Sequence, residues 1–188
     1  MKSSIRKKTY QAIYRLLDKV SPLDSDCGIL CNSACCCGGD NSNSTGDAED
    51  NASDLEIGMY LLPGEEKLFT RKEDWLLWNI EQAEDYDFPE SWRGKVYFVK
   101  CKNAPGCVRE LRPIQCRTFP LQPHITKEGV FQLILHSGEL RYQCPLIEKK
   151  IPLEDRFIKA TYTVWKRLLK DPLIFDLVEM DSEDRNRR

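Results

Sequence analysis

The sequence predicts one α+β domain in which helices cover a small antiparallel sheet. Three observations favour this class: helical patterns at both ends of the chain, short runs of β-prone residues between them, and turn-forming loops that separate those runs. With 188 residues, 41% of them hydrophobic, the chain is long enough for a sizeable core. We expect an N-terminal helix within residues 1–25, a cysteine-rich domain in 26–150 and C-terminal helices in 151–188.

Periodic apolar residues predict the helices at the two ends. Apolar side chains recur at helical spacing, with basic residues between them, from residue 3 to residue 20. The Ser-Pro pair that follows should end this helix, because proline cannot continue the hydrogen-bond ladder. A second strong pattern covers residues 153–170, and we expect both helices to pack on the core.

Two further helices are predicted from local signals. Asp171-Pro172 should break the long C-terminal helix before a short one that reaches about Met180, and the tail 181–188 should be frayed. Within the domain, Thr70 with Glu73 three residues later forms a capping box, which predicts a helix from Thr70 to Ala83.

Three segments have the composition of strands. Ile57 to Leu62 should form a short strand that ends at a Pro-Gly pair, and Lys95 to Cys101 and Val130 to His136 are rich in β-branched and aromatic residues. The cysteine-bearing loops should therefore be attached to a sheet.

The charge balance excludes several classes of function. Twenty-eight basic and thirty acidic residues give a formal net charge of −2, which provides no field to attract nucleic acid or an anionic membrane. The apolar runs are far shorter than the roughly 18 to 20 residues that span a bilayer. The N-terminus is amphipathic and charged, unlike a secretion signal, and we therefore expect a cytoplasmic protein.

Cysteine usage is the unusual feature of the composition. The chain has nine cysteines, five of them within eleven residues: Cys27, Cys31, Cys35, Cys36 and Cys37. The other four are Cys101, Cys107, Cys116 and Cys144. Crowded thiols suit disulfides poorly, because each half-cystine needs its own partner at a fixed distance. In a reducing compartment the pattern points to metal binding or redox catalysis.

Short spacings favour metal binding, because two ligands from one loop lose less chain entropy than two distant ones. Pro113 should start a short helix with Cys116 in its first turn, where the helix dipole stabilises a thiolate. Three arginines could neutralise a doubly negative four-thiolate zinc shell, or could form ordinary surface salt bridges: Arg109, Arg112 and Arg117. Cys144 precedes a proline and could join the same site, although a buried apolar thiol is the alternative.

The cysteine motifs of the chain resemble those of the YkgJ-type cysteine-cluster family, a group described as a zinc- or iron-chelating domain. The resemblance covers about residues 26 to 146, and its second motif, Arg112-Pro-x2-Cys116-Arg117, matches fully. In the first motif the spacers have three residues instead of two, and a third consecutive cysteine follows. The resemblance implies metal binding by eight thiols, with Cys37 as a spare: Cys27, Cys31, Cys35, Cys36, Cys101, Cys107, Cys116 and Cys144.

Other polar features carry weaker signals. His124 could be an alternative metal ligand but is more often exposed in such a loop, and His136 should be a hydrogen-bonded residue at a strand end. Residues 38–54 lack branched aliphatic, aromatic and basic side chains and should form a mobile acidic loop. No register of that loop places calcium ligands correctly.

Three functions follow as hypotheses. The first is a cytosolic metalloprotein that holds zinc or an iron–sulfur cluster, in one site or two, since both accept four thiolates. The second is an enzyme: the wider family includes a flagellin lysine N-methylase, and Cys36 or Cys37 could serve a thiol redox reaction, but the chain has no Gly-rich nucleotide motif. The third is a metal-stapled module that binds a protein partner through the loop Asp40 to Asp54. The sequence leaves the oligomeric state open.

Overall fold

A computed structural model describes residues 1–31, 34–37, 58–102, 109–140 and 142–187. Its helices are α1 (Lys7–Leu17), α2 (Ala34–Cys37), α3 (Ile114–Thr118), α4 (Pro145–Glu148), α5 (Asp155–Leu168) and α6 (Pro172–Arg187). Its strands are β1 (Met59–Tyr60), β2 (Leu76–Gln82), β3 (Lys95–Cys101), β4 (Leu121–Ile125) and β5 (Phe131–Leu135). The acidic loop 38–54 lies outside the described residues.

The strands form two small antiparallel sheets, which confirms the α+β class. β3 is the central strand of a three-stranded sheet with the order β1-β3-β2, and β4 pairs with β5 as a hairpin. β3 has the bounds that its composition predicts, whereas β1 is shorter than predicted and begins at Met59.

The helix predicted from Thr70 to Ala83 is wrong. The capping-box contacts do form, since the backbone N–H and hydroxyl of Thr70 donate to Glu73 Oε1 at 2.7 and 2.9 Å. The chain then enters β2, whose seven residues all pair with β3. Leu76 and Trp78 alternate along the strand and pack on one apolar cluster, so the relevant period is two and the ladder satisfies the backbone.

The β4–β5 hairpin contains one predicted strand, β5, and one that was not predicted, β4. β5 lies within the predicted strand, but β4 contains Pro123, which usually argues against a strand. Pro123 is tolerated because β4 pairs with β5 alone in this sheet, so one side of the strand needs no ladder donor. A cis peptide bond joins Phe119 to Pro120 just before β4.

The terminal helices enclose the main core, as predicted. Tyr10, Ile13 and Leu17 of α1 are buried together with Trp165 and Leu168 of α5, in a cluster that α6 and β4 complete. Both helices are shorter at their ends than the sequence patterns, and the core positions that define the patterns are retained.

The C-terminal helix is longer than predicted. It continues to Arg187 instead of ending near Met180, so the prediction of a frayed tail is wrong through that residue. The cause is Ser182, which is 1% exposed; its hydroxyl donates to Val178 O at 2.6 Å and accepts from Ile125 N at 2.9 Å. This bond anchors the last turns of α6 to β4.

Asp171 ties the N-terminal segment to the start of α6. This buried carboxylate accepts hydrogen bonds from the hydroxyls of Ser3 and Ser4 and from the backbone of Ser4 through Oδ2, and from Leu173 N through Oδ1. Asp171 thus ends one helix, caps the next and holds the first residues of the chain.

Among the residues that the structure describes, no helix combines the length and the apolar character needed to cross a membrane.

Candidate metal centre

The first cysteine cluster forms two short helical turns. Cys27 begins a 3₁₀ turn that ends at Leu30, and the carboxylate of Asp26 caps it by accepting from Gly28 N at 3.0 Å. Cys31 follows that turn, and Ala34 N donates to Cys31 O at 3.1 Å to start α2, which carries Cys35. Cys27 and Cys31 are half-buried and Cys35 is exposed. The side chains of Cys36 and Cys37 lie outside the described residues.

Cys144 comes to this cluster from the other end of the predicted domain. Cys144 is the N-cap residue of α4, and its carbonyl accepts from Ile147 N and Glu148 N at 3.0 Å. Burial raises the pKa of its thiol, against the effect of the nearby amides of Ile147 and Leu146. The charges of Cys31 and Cys35 raise this pKa further.

Four predicted ligands are linked by their charges: Cys27, Cys31, Cys35 and Cys144. Burial raises the pKa of Cys27 to about 11, and the charges of Cys35, Asp26, Cys31 and Cys144 add to the effect. Burial and the charges of these neighbours thus favour the neutral thiol at Cys27 and at Cys144.

Cys116 is linked to these thiols through their common effect on Tyr142. Burial raises the pKa of the Tyr142 hydroxyl, and the charges of Cys35, Cys144, Cys116 and Cys31 raise it further. Cys116 is exposed on α3, and its Sγ donates to the thioether of Met59 at 3.5 Å. α3 confirms the short helix predicted after Pro113, which is its N-cap residue.

Cys101 is the predicted ligand that lies in the three-stranded sheet. It is half-buried at the end of β3 and packs on the cluster that contains Phe69 and Trp75. Met59 pairs with Val99, so the register places Cys101 diagonally from Met59 on the same face of the sheet. Met59 thus contacts Cys116 and packs on the same apolar cluster as Cys101. Its thioether is a further soft donor that the spacing of the cysteines did not reveal.

The predicted arginines have different surroundings. Arg117 lies against α1. Its Nη1 donates to Tyr14 O at 3.1 Å and pairs with Asp18 at 2.7 Å, and its guanidinium stacks 4.5 Å above the ring of Tyr14. Its Nε donates to Arg112 O at 2.8 Å. Arg112 contributes the carbonyl in that set. The side chain of Arg109 and the whole of Cys107 lie outside the described residues, and a thiolate-neutralising role for the three arginines stays a prediction.

A buried carboxylate fixes the helix that carries Cys116. Glu65 is 0% exposed and accepts from Tyr14 Oη at 2.7 Å, Ile114 N at 2.8 Å and Leu62 N at 3.0 Å. Burial raises the pKa of Glu65 although all three hydrogen bonds and Arg117 act in the opposite direction. The role of Glu65 could not be predicted from the sequence, because nothing local marks a glutamate whose three partners come from separate segments.

One of the two histidines lies within β4 and the other directly after β5. His124, expected in an exposed loop, is 8% exposed within β4, and burial lowers its pKa. His136 is hydrogen-bonded as predicted, since Nδ1 lies 3.1 Å from Gln122 Oε1.

The described residues supply suitable donors but no finished coordination shell. Within the described ranges, no group of three or more His, Cys, Asp or Glu side chains is arranged to hold a metal ion. The chemistry of the donors fits a thiophilic metal, since four thiols interact electrostatically and Cys101, Cys116 and Met59 offer three further sulfurs.

Comparisons with known proteins do not place the chain. No family model, no curated protein and no solved structure matches it. A functional proposal therefore rests on the residues of the chain itself.

Proposed function

We propose that the chain is a metal-binding protein whose thiolates hold zinc or an iron–sulfur cluster. The observation that carries the proposal is the electrostatic effect on Cys27 and Cys144. The charges of Cys31 and Cys35 raise the pKa of both thiols, although Cys144 lies more than a hundred positions from the local cluster in the sequence. Such convergence is what a four-ligand shell requires, because a local pair cannot close a tetrahedron.

The electrostatics of the four thiols suit a cation. A bound cation stabilises thiolates, whose formation burial and mutual repulsion oppose in its absence. Cys116, which contacts Met59, and Cys101, which packs on the same cluster as Met59, would provide sulfurs for a second metal ion or for a larger cluster. Cys36 and Cys107 complete the predicted set of eight. The arginines would then offset the excess negative charge of the thiolates.

Elemental analysis of protein purified without oxygen tests the proposal. We expect a stoichiometric amount of zinc in a colourless sample, or of iron and sulfide in a brown one with broad visible absorption. Cys144→Ser should lower the metal content, and Cys37→Ser, the matched change at the spare thiol, should not. A wild-type chain without stoichiometric zinc or iron would overturn the proposal.

Chelation separates a structural site from a peripheral one. A structural zinc contributes on the order of 10 kcal/mol to folding, so removal of the metal should unfold the chain. The circular dichroism of the chelated protein is the measurement, and an unchanged spectrum would limit the metal to a non-structural role.

A further inference from the structure

A cleft of about 490 Å³ lies between the β4–β5 hairpin, α3 and α6. This volume falls in the range of about 300–1,000 Å³ that is usual for small-molecule sites. Its walls combine apolar and polar side chains, among them Phe119, Leu177, Gln122, His136, Asp181 and Arg185.

Two hydrogen-bond donors in the cleft wall lack acceptors among the described residues. Gln122 Nε2 and Arg185 Nε are both buried and without a partner there. The rest of each group is engaged: Gln122 Oε1 faces His136 Nδ1 at 3.1 Å, and Arg185 Nη2 donates to Pro123 O at 2.9 Å and to Ser182 Oγ at 3.0 Å. Buried donors are normally satisfied, so this wall is short of an acceptor such as a carboxylate.

The same cleft carries acidic groups one helical turn away. Asp181 precedes Arg185 by four residues on α6 and lines the cleft. Burial raises the pKa of its carboxyl, and the charge of Arg185 acts in the opposite direction. Asp184 also lines the cleft, and pairs with Arg187 at 3.5 Å. A ligand with a carboxylate alone would be repelled by Asp181, whereas one that also carries an ammonium group would not.

The apolar part of the lining is aromatic and aliphatic. Phe119 and Leu177 are half-buried, and each leaves part of its surface to the cleft. An apolar group of a ligand would bury surface against them and gain hydrophobic stabilisation.

We propose that this cleft binds the zwitterion of an aromatic or other apolar α-amino acid. Gln122 and Arg185 bind its carboxylate, Asp181 binds its ammonium group, and its side chain packs against Phe119 and Leu177. The cleft adjoins the candidate metal centre, because Met59 lines the cleft and contacts Cys116. Binding itself involves none of the proposed metal ligands, so it is independent of the proposed function.

Three matched probes test the proposal on the full chain by calorimetric titration. L-Phenylalanine carries both charges, 3-phenylpropionate lacks the ammonium group and 2-phenylethylamine lacks the carboxylate. We expect L-phenylalanine to bind at least about tenfold more tightly than either analogue, since each analogue leaves polar groups of the cleft unpaired. Equal affinity for the three probes, or no binding of L-phenylalanine, would overturn the proposal.

Variants assign the two ends of the ligand. Asp181→Asn should remove the preference for L-phenylalanine over 3-phenylpropionate, and Gln122→Leu should reduce the preference over 2-phenylethylamine. Glu183→Gln, on the same helix and outside the lining of the cleft, should leave all three affinities unchanged, and thermal unfolding checks that each variant folds. An equal effect of Glu183→Gln would also refute the assignment. The metal content of each variant is measured before its titration, so that loss of a metal is not mistaken for failure of the cleft.

Discussion

The backbone N–H of Ile114 donates a 2.8 Å hydrogen bond to Oε1 of Glu65. Ile114 is the first residue of α3, and Cys116 follows two positions later. The same oxygen accepts from the hydroxyl of Tyr14 at 2.7 Å, so one buried carboxylate joins α1 to the start of the helix that carries a predicted ligand. The position of Cys116 therefore depends on a residue 51 positions earlier in the chain that is not itself a thiol.

Glu65→Leu should be strongly destabilising. It leaves three buried donors without an acceptor, on Tyr14, Ile114 and Leu62, and each unsatisfied group costs about 1–3 kcal/mol. We expect the free energy of unfolding in urea to fall by about 3 kcal/mol or more. Tyr14→Phe, which removes one donor together with its bond, should cost about 1 kcal/mol. Similar losses for the two variants would contradict the bridging role.

Glu65 should also make stability depend on pH. Its pKa is raised above 4.5 in the folded chain by burial, so the folded state binds more protons than the unfolded state between 4.5 and the raised value. Stability contributed by this group is thus complete below the unfolded pKa and is lost as the pH rises through the folded pKa.

Urea unfolding of the wild type and Glu65→Gln across this pH window measures the effect. The advantage of the wild type over the variant should shrink as the pH rises, because glutamine does not titrate. An advantage that grows with pH would mean that the hydrogen bonds to Glu65 outweigh its burial.

Local patterns predicted those elements whose own residues decide their structure. The apolar stripe of α5 and the β-prone composition of β3 are such cases, and the structure confirms both. The segment after Thr70 was not decided locally: its capping box forms, but pairing with β3 makes residues 76–82 a strand. A single sequence does not reveal which strand will be a partner, so tertiary pairing overrides the local signal.

The candidate site divides in the same way. The short spacings of Cys27, Cys31 and Cys35 predicted a local group of thiols, and the charges of Cys31 and Cys35 raise the pKa of Cys27. Glu65 and Met59 could not be predicted, because a buried carboxylate and a thioether acquire their roles from neighbours that the fold supplies.

Asp171 should be needed for the order of the N-terminal segment. Asp171→Ala removes the cap of α6 and leaves the donors of Ser3 and Ser4 without their acceptor, at a cost of about 3 kcal/mol. Hydrogen exchange of the first residues of the chain should accelerate more than that of α5. Glu179→Ala, an exposed change on the same helix, should alter stability by less than about 0.5 kcal/mol. Unchanged exchange in the Asp171 variant would show that other contacts hold the segment.

Metal binding should release protons in proportion to the thiols that take part. The pKa of Cys27 is about 11, so this thiol is neutral near pH 7 and must lose its proton to become a ligand. Titration of the metal-free chain with zinc in weak buffer should therefore release about one proton for each ligating thiol, and the apparent affinity should rise with pH up to the thiol pKa.

Cys27→Ser should release about one proton fewer per zinc ion and bind more weakly, because serine does not ionise in this range. Cys37→Ser should match the wild type in both respects if Cys37 is the spare. Equal proton release from the Cys27 variant and the wild type would exclude Cys27 from the shell. If Cys37→Ser, and not Cys27→Ser, released fewer protons than the wild type, Cys37 would be the ligand and Cys27 the spare thiol, because only a thiol that binds the metal loses its proton.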